Sequence, residues 1–316
     1  MRALGVLLLL AGCDLFPEDL YMHDAAPADR ASAPTLAIAE TCAEAPLAPG
    51  PVTNAYVDLS TSRHDPDACP DAPGGPEAWF ALAVRAGERW HVHVTDRNRL
   101  GIDPSLRVLP ACADAVCPAG ALTMNECGVG QDEHLSFVAE TDGTWRGALE
   151  AQGGAVDVLV NQPVCGNGPP AEHAEGCDDG NRVGGDGCDA RCRVELEGLA
   201  TPREREPNDD PTMANHVVAP LVFTGEAGGR CDVDYFTFEH VGGPLRVGLT
   251  AGDGSCAEPS LQVELLQGET SAALERLGAG DPGCGGLALD APAGELHLRV
   301  RAAETAPGLT YRVALE

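Results

Sequence analysis

Side chains able to bind a cation are concentrated in a glycine-rich segment near the middle of the chain. Glycines there let backbone carbonyls turn inward beside carboxylate and amide oxygens, which are the ligands that Ca²⁺ prefers. The donors are Asp178, Asp179, Asn181, Asp186 and Asp189. Counted from either of the first two, the spacing does not satisfy the EF-hand pattern. Asp and Asn also close tight turns, so a calcium site and a set of turns stay open as alternatives.

A second possible metal site is the run His91-Val92-His93. Two imidazoles two residues apart on a strand lie on one face, and they could chelate zinc or copper with a third ligand. The alternation of Trp90, Val92 and Val94, however, assigns the other face to the core. We therefore expect both histidines to face solvent and to bind no metal.

Sequence motifs for catalysis are absent from the chain. There is no Gly-Xaa-Ser-Xaa-Gly elbow, no His-Glu-Xaa-Xaa-His pair and no phosphate-binding loop. The cysteines are better explained as disulfide partners than as nucleophiles. We therefore predict a protein that is not an enzyme. Because catalytic triads are spatial and need no sequence motif, a cryptic secreted hydrolase stays as an alternative.

The charge of the chain limits its partners. The formal net charge is −29, there is no lysine, and aromatic residues make up only 4% of the chain. Such an acidic surface is repelled by the phosphates of nucleic acid and by anionic lipid headgroups. We therefore exclude nucleic acid as a partner, and any attachment to a membrane must come from a covalent lipid. The same charge would attract divalent cations.

The N-terminus is typical of an exported protein. Met1-Arg2 precedes an apolar run, Leu4 to Ala11, that is too short to span a bilayer and suits a signal peptide. The run ends Leu10-Ala11-Gly12-Cys13, which resembles the lipobox of bacterial lipoproteins. That resemblance implies a signal peptide at 1–12, acylation of Cys13 and a lipid-anchored protein. Residues 13–40, which are rich in Ala, Pro and acidic residues and have no periodic apolar pattern, are expected to form a flexible tether. An ordinary secretory signal with an incidental cysteine is the alternative. Inner and outer membrane both stay open, and we favour the outer membrane or the cell surface.

Thirteen cysteines indicate an oxidising compartment. Residues 165–195 are nearly devoid of apolar side chains, so only disulfides or a cation could order them. Removing Cys13 leaves twelve cysteines, an even number that could all pair: Cys42, Cys69, Cys112, Cys117, Cys127, Cys165, Cys177, Cys188, Cys192, Cys231, Cys256 and Cys284. Five of these cysteines precede the four in the central segment and three follow them, and both numbers are odd. Either one bridge therefore crosses between regions or two thiols stay free. Cys42 with Cys69 and Cys256 with Cys284 are the preferred pairs.

Alternating apolar residues on both sides of the central segment predict β-strands. In the first part of the chain they are Phe80, Leu82, Val84, Trp90, Val92, Val94, Leu106, Val108, Leu135, Phe137, Trp145, Leu149, Val156, Val158 and Val160. Short strands between Gly, Pro and Asp clusters, without helical periodicity, predict an all-β protein. We expect two antiparallel, jelly-roll-like β-sandwiches at 41–163 and 197–316. They flank an irregular, disulfide-rich module at 164–196.

The second sandwich repeats motifs of the first, which indicates an internal duplication. Asp103-Pro104-Ser105-Leu106-Arg107-Val108 matches Glu258-Pro259-Ser260-Leu261-Gln262-Val263, and Trp79-Phe80-Ala81-Leu82 matches Tyr235-Phe236-Thr237-Phe238. We therefore expect the same fold on both sides of the module.

The central module closely resembles the myxobacterial cysteine-rich repeat, over about thirty residues. The resemblance lies in Cys165-Gly166-Asn167-Gly168, Cys177-Asp178-Asp179-Gly180-Asn181, Gly185-Asp186-Gly187-Cys188 and Cys192. The chain departs from it in having Glu175-Gly176 where the family usually has Gly-Glu. The repeat occurs in secreted and surface proteins, so the resemblance implies location and disulfide content rather than an activity.

The second sandwich resembles the bacterial prepeptidase C-terminal domain, through Glu206-Pro207-Asn208-Asp209 and Asp232-Val233-Asp234-Tyr235-Phe236. In related collagen-binding modules, acidic residues of these two segments bind calcium. The resemblance implies a calcium site formed by Glu204, Glu206, Asn208, Asp209, Asp232 and Asp234. The alternative is that these residues only close turns or face solvent. The first sandwich, with Pro76-Glu77-Ala78-Trp79-Phe80, lacks the two aspartates and is expected to have no such site.

Taken together, the sequence predicts a non-catalytic envelope or cell-surface lipoprotein. We expect it to act in binding or adhesion to a protein or a carbohydrate, with a sandwich that calcium stabilises. An architectural spacer without a dedicated ligand is the alternative function, and an exposed aromatic patch would favour binding over it.

Overall fold

The computed structural model describes residues 36–48, 50, 53–60, 76–96, 102–112, 122–124, 133–151, 153–168, 174–197, 199, 201–227, 232–256, 261–280, 286–302 and 309–316. Regular structure in these ranges consists of strands and two short 3-10 segments, and none of it is a helix long and apolar enough to cross a membrane. The all-β prediction is confirmed. The predicted signal peptide, the predicted lipidation site Cys13, most of the predicted tether and five cysteines lie outside the described residues. The five cysteines are Cys69, Cys117, Cys127, Cys231 and Cys284.

The first sandwich consists of two four-stranded antiparallel sheets with the orders β1-β8-β3-β6 and β2-β7-β4-β5. Its strands are β1 (Thr53–Asp58), β2 (Glu77–Val84), β3 (Arg89–Asp96), β4 (Ser105–Leu109), β5 (Leu122–Met124), β6 (Glu133–Val138), β7 (Gly143–Glu150) and β8 (Ala155–Asn161). Every run of alternating apolar residues in this region forms a strand, as predicted. The apolar faces of the two sheets form one core, in which Phe80, Val92, Leu106, Phe137 and Val158 are fully buried.

The segment before β1 belongs to the first sandwich, which corrects the predicted tether. Leu36 is buried in the first core. Ala39 exchanges two backbone hydrogen bonds of 2.8 Å with Trp79 on β2. Because β2 is at the edge of its sheet, this segment satisfies backbone groups that would otherwise be unpaired. Residues 36–40 are therefore part of the fold, and the rest of the predicted tether lies outside the described residues.

The preferred pairing of Cys42 with Cys69 is wrong, because Cys42 is bonded to Cys112. Cys42 lies in the 3-10 segment Cys42–Glu44 and packs against Trp79 and Leu109. Leu109 ends β4, which leads directly to Cys112. The pairing therefore depends on which strands are neighbours in the sheet. The spacing of the cysteines along the sequence does not predict it. Cys256 is also in a disulfide, with a partner outside the described residues.

The second sandwich repeats the strand order of the first. Its strands are β9 (Asn215–His216), β10 (Leu221–Ala227), β11 (Val233–Ala251), β12 (Leu261–Gln267), β13 (Glu275–Ala279), β14 (Leu287–Ala302) and β15 (Leu309–Leu315). They follow the order β10-β15-β11-β14-β12-β13, with β9 parallel to β11. This is the strand order of the first sandwich, with one difference. The single strand β11 takes the places of β2 and β3, and the single strand β14 takes the places of β6 and β7. Gly242 and Gly243, both at positive φ, interrupt β11 where the first sandwich has a turn.

The cysteine-rich module (residues 164–196) is held by two disulfides, Cys165–Cys192 and Cys177–Cys188. Glu195 accepts hydrogen bonds from the amides of Gly185 and Gly187, at 2.7 to 3.0 Å. Arg193 fixes the module to the second sandwich through Glu295, at 3.1 Å, and through Thr237 Oγ1, at 3.2 Å. Disulfides and polar contacts thus replace the apolar core that the module lacks, and they indicate a compartment outside the cytoplasm.

The expectation that His91 and His93 face solvent is wrong. They lie on the outer face of the β3 sheet, as predicted, but they are only 1% and 5% exposed. The alternation of strand residues identifies the face that packs on the core, and it gives no information about what covers the other face. Here that face lies near the second sandwich, as Ser136 on the adjacent strand shows by hydrogen bonding Ser271.

Candidate metal centre

The candidate site lies where the linker after the cysteine-rich module meets the first half of β11. The amide of Glu204 donates to Thr224 O on β10, at 2.9 Å. Asn215, which is fully buried, accepts from the amide of Arg205 at 2.7 Å and donates to its carbonyl at 2.9 Å. These contacts hold the linker backbone on both sides of Arg205. Glu204 and Glu206 are thereby brought to Asp234 on β11.

Tyr311 joins two of the acids. Its hydroxyl lies 2.6 Å from Glu204 Oε2 and 2.6 Å from Asp234 Oδ2. The other oxygen of Glu204 accepts a very short hydrogen bond from the amide of Glu226. Tyr311 and Asp234 are both fully buried. Two carboxyl groups thus contact the same buried phenolic hydroxyl.

Asn208 brings an amide oxygen toward the same carboxylates. The residue is fully buried, and its side-chain oxygen faces Glu206 Oε2 and Asp234 Oδ1. Turning the amide by 180° would make its nitrogen donate to the same two atoms, at 2.9 and 3.3 Å. In the first orientation three oxygens face one another, which is favourable when a carboxyl proton or a cation lies between them. The second is the arrangement that hydrogen bonding alone prefers.

The remaining two predicted ligands, Asp209 and Asp232, lie nearby. Asp209 Oδ1 accepts from the amide of Val233, at 3.2 Å, which joins the linker to the start of β11. The negative charge of Asp232 acts on Glu204, Glu206 and Asp234. Glu204, Glu206 and Asp234 thus offer oxygens within 4.8 Å of one another, whereas Asp209 and Asp232 are outside this group.

The electrostatics of the site oppose ionisation of its acids. Burial, with the charge of Asp232 adding to it, raises the pKa of Glu204 to about 7. Burial and then the charge of Glu204 raise the pKa of Asp234 well above its ordinary value. Solvent reaches Glu206, yet loss of hydration at its carboxylate and the charge of Asp209 raise its pKa also. A divalent cation would reverse these shifts, because it favours the charged form of every ligand.

Two residues of the site were missed from the sequence. Tyr311 is more than 70 positions from every predicted ligand. The sequence feature that could have indicated it is a polar hydroxyl on the buried face of a strand, where Val313 and Leu315 also lie. Gly225 was the other. A Cβ atom there would lie 2.2 Å from Glu204 Oε2 and from the Tyr311 ring, so only glycine leaves room for both side chains.

The acidic residues of the cysteine-rich module have other contacts. Asp178 accepts from the amides of Gly166, Asn167 and Gly180, at 2.7 to 3.0 Å. Asp179 accepts from the amide of Asn181, and the side-chain nitrogen of Asn181 donates to Asp186 at 3.3 Å. Asp189 forms an ion pair with Arg193 at 2.7 Å. These are the contacts of turn-forming residues, and they favour that interpretation over a cation site.

Two further groups of potential ligands occur in the described residues. Glu175 and Asp178 lie beside Cys192, whose sulfur is in a disulfide and so is not available to a metal. Glu195 and Glu197 lie beside His216, but Glu195 binds two glycine amides and Glu197 contacts His216 Nδ1 at 3.0 Å. The linker site is the one that combines several buried carboxylates with a neutral amide oxygen.

No family model and no curated protein matches the sequence. Among solved structures, the pre-peptidase C-terminal domain of collagenase from Bacillus anthracis is similar at 16% identity and a TM-score of 0.27, covering 33% of this chain and 94% of that one. The CUB1-EGF-CUB2 domain of human MASP-1/3 covers 83% of this chain and 99% of that one, at 10% identity and a TM-score of 0.20. A carbohydrate-binding module of Cellvibrio mixtus lichenase 5A covers 34% and 97%, at 14% identity and a TM-score of 0.20. Scores of this size carry no functional conclusion for the chain.

Proposed function

We propose that the chain is a non-catalytic envelope lipoprotein whose second sandwich binds calcium at its linker and uses the ion to fix the domain for binding. The observation that supports this most strongly is the convergence of Glu204, Glu206, Asn208 and Asp234 beside the Tyr311 hydroxyl. Oxygen donors from the linker and from a strand suit calcium, which takes six to eight oxygens in flexible geometry.

Calcium would supply the charge that makes this group of acids stable in its ionised form. Without it, the raised pKa values of these carboxyl groups favour their protonated forms at neutral pH. With it, the linker would be tied to β11 and β15 through Asp234 and Tyr311. The ion would therefore order the segment between the cysteine-rich module and the second sandwich.

Calorimetric titration of calcium tests this proposal, using the secreted full chain with Cys13→Ser so that no acyl group is added. We expect saturable heat and a higher melting temperature than in chelator, since an ion at 100 times its Kd adds about 2.7 kcal/mol of stability. Asp234→Asn should abolish both effects. Glu275→Gln, an exposed acid on β13 of the same sandwich, is the matched control and should change neither. Absence of heat in the unsubstituted chain would remove calcium from the function.

The lipid anchor and the outer-membrane or cell-surface location are part of the same proposal. Acylation of Cys13 is tested by the mass of the mature protein extracted from membranes. We expect a mass increased by acyl chains and a protein that partitions into detergent, whereas Cys13→Ser should release it. A mature chain without lipid would leave the binding function intact and would contradict the anchor alone.

We propose that ligand binding involves the outer face of β1 and β8. Tyr56 is 51% exposed, and among the described residues it is the aromatic side chain that is most open to solvent. Its strand partner is Asp157, which in turn pairs with Thr95 on β3. A ring beside carboxylate and hydroxyl groups can stack on a sugar or a protein side chain and also hydrogen-bond to it. Tyr56→Ala should lower binding to immobilised cell-wall polysaccharide or matrix protein, whereas Val241→Ala, at an exposed position on β11 of the other sandwich, should not. Equal binding by both variants would favour the spacer function.

A further inference from the structure

The two sandwiches meet through a polar contact that sequence analysis does not anticipate. Ser136 on β6 and Ser271, in the 3-10 segment Ser271–Ala273, bond each other reciprocally. Each amide donates to the partner's hydroxyl, at 2.8 and 2.9 Å, and the two hydroxyl oxygens are 3.1 Å apart. The residues are 135 positions apart in the chain, so this contact sets the position of one sandwich against the other.

Charged side chains surround this contact, which we call the junction. Arg89 on β3 interacts electrostatically with Glu269 and with Arg191 and Arg193 of the cysteine-rich module. Arg191 and Arg193 in turn form ion pairs with Glu295 of the second sandwich, at 2.7 and 3.1 Å. The apolar cores of the two sandwiches share no residue. Polar interfaces between domains resemble transient protein–protein contacts, so a small change in free energy is enough to open them.

Histidines occupy the face of the first sandwich at the junction. His91 and His93 are buried there, and the ring of His134 on β6 stacks on His93 with a centroid distance of 4.3 Å. His134 also lies 5.7 Å from the ring of His91. Across β3 and β6, His91 pairs with Ser136 itself. The imidazoles are thus part of the same row of side chains as the serine that contacts the second sandwich.

We propose that the junction is an acid-operated hinge, in which protonation of His91, His93 and His134 separates the two sandwiches. Imidazole ionises near pH 6.5 in water, so mild acid is sufficient to charge an exposed ring. Two imidazolium rings stacked at 4.3 Å repel each other, and burial removes the water that would screen them. Opening the junction relieves both costs, because it returns the rings to solvent.

Charged groups of both signs surround the histidines. Arg89 on β3 and Arg191 and Arg193 of the module are positive, and Asp189 and Glu295 are already paired with the two arginines of the module. Among the acids, Glu269 and Asp210 act on Arg89, and Asp157 lies one row away on the same sheet face as His93. The repulsion that opens the junction therefore comes from the closely stacked rings themselves. From the second sandwich, His297 is 1% exposed, and burial lowers its pKa to about 4, so it too takes up a proton when its surroundings open.

Small-angle scattering of the secreted full chain with Cys13→Ser, in excess calcium, tests the hinge. Between pH 7.5 and 5.0 we expect the radius of gyration to increase reversibly, by roughly 10% or more, with unchanged circular dichroism. Replacing His91, His93 and His134 with glutamine should abolish the increase. The double variant Ser136→Cys, Ser271→Cys, whose new disulfide would hold the junction closed, should abolish it as well.

A constant radius in the unsubstituted chain would overturn the proposal, and so would an undiminished increase in the glutamine variant. Expansion of the locked variant to the same extent would show unfolding rather than hinge opening, and would also overturn it. If the triple variant does not fold, His134→Gln alone, at a half-buried position, should shift the midpoint of the transition to lower pH. None of these outcomes depends on the ligand proposed for the outer face of β1 and β8.

Discussion

The hydroxyl of Tyr311 has one proton and two acceptors, Glu204 Oε2 and Asp234 Oδ2, each at 2.6 Å. It donates to one of them at a time, so the other contact is favourable only if that carboxyl holds a proton or a cation neutralises its charge. Burial raises the pKa of Glu204 to about 7, which allows the first state at neutral pH. Under the proposed function, calcium would therefore bind in exchange for protons rather than fill a cavity that is already ionised.

Removing the phenolic hydroxyl should weaken the site even without calcium. Tyr311→Phe leaves two buried carboxyls without their shared donor, so in chelator we expect the free energy of unfolding to fall by about 1–3 kcal/mol. Tyr56→Phe removes an exposed hydroxyl and should change stability by less than about 0.5 kcal/mol. Urea unfolding of both variants measures the difference. Equal stabilities would mean that the Tyr311 hydroxyl contributes nothing to the fold.

Calcium binding should release protons at pH 6.5, because ligands must be ionised to bind the metal. We expect at least one proton for each ion, from Glu204 and Asp234, whose pKa values are raised by burial. Calorimetry in two buffers with different ionisation enthalpies measures this number. Identical heats in the two buffers would show that the acids are already ionised in the absence of calcium.

Two buried groups should make the pH dependence of stability differ with and without calcium. The pKa of Glu204 is about 7 when folded and near 4.5 when unfolded, so in chelator its contribution is full below pH 4.5 and is lost as pH rises to 7. His297 has the opposite sign: its pKa falls from 6.5 to about 4 on folding, so stability is lost as pH falls from 6.5 to 4. Each group contributes roughly 3 kcal/mol to the free energy of unfolding. In chelator the two contributions change with pH in opposite directions.

Calcium should remove the Glu204 contribution and leave that of His297. The stabilisation by calcium is therefore expected to grow between pH 5 and 7, and stability in calcium should decrease from pH 6.5 toward pH 4. Thermal unfolding across this range, with and without chelator, measures both slopes. His297→Gln should flatten the decrease in calcium. A calcium effect independent of pH would contradict the raised pKa of Glu204.

At the scale of single strands, glycine on β10 decides whether the site can form. Gly225→Ala would place a methyl group 2.2 Å from Glu204 Oε2 and the Tyr311 ring. We expect a cost of about 1–3 kcal/mol and weaker calcium binding, because both side chains must move. Gly248→Ala on β11 is the matched control, since its methyl would meet Ala314 Cβ at an ordinary 3.6 Å. Thermal unfolding and calorimetry of both variants test this, and similar results for the two would contradict the packing.

The two sandwiches place opposite charges at equivalent positions of their sheets. In the first, Arg107 on β4 lies between Glu77 and Glu150, at 2.6 and 3.0 Å, and all three are buried. In the second, Glu264 has the same place in the sheet, because it pairs with Arg299 as Arg107 pairs with Ala148, and Arg299 and Ala148 are the partners of Tyr235 and Trp79. This is two residues beyond Gln262, which the sequence repeat aligns with Arg107. Glu264 accepts from Arg299 at 2.8 Å and from Arg276 at 3.2 Å. Breaking a buried ion pair costs about 3–5 kcal/mol, so each sheet depends on its own set of charges.

These charges mark a limit of sequence reasoning at the scale of strands. Alternation gave the strands and the face that packs on the core, because Phe80 and Leu106 repeat with period two. It assigned the opposite face to solvent, yet Arg107, His91 and His93 are buried there. The segments that cover an outer face come from distant parts of the chain, as the contact of Ala39 with Trp79 shows. The local sequence pattern of a strand therefore does not predict them. The acids proposed as calcium ligands were named from a motif, whereas Tyr311 comes next to them only through the order of the strands in the sheet.

At the scale of the whole molecule, the duplication explains why one sandwich has the site and the other lacks it. Both have the same strand order, and Trp79 and Tyr235 occupy equivalent positions on β2 and β11. Asp234 precedes Tyr235, whereas Ala78 precedes Trp79 and is fully buried among apolar groups. An acid there would lack partners. The linker that brings Glu204 and Glu206 has its counterpart in the Ala39 segment, which contributes no carboxylate to β2.

The cysteine-rich module connects the sandwiches, so its disulfides should affect the junction as well as the module. Cys165–Cys192 closes a separation of 27 residues and adjoins Arg193, which binds Glu295 and Thr237 of the second sandwich. Replacing both cysteines with serine removes about 3–4 kcal/mol of loop-closure stabilisation from a segment with almost no apolar core. We expect faster amide hydrogen exchange in residues 165–192 and around Thr237, with the core of the first sandwich unchanged.

The same substitution at Cys42 and Cys112 should increase exchange around Trp79 instead, because that disulfide packs against β2. If both pairs of substitutions increased exchange throughout the chain, the module and the two sandwiches would have to unfold as one cooperative unit, and the junction would not act as a separate hinge.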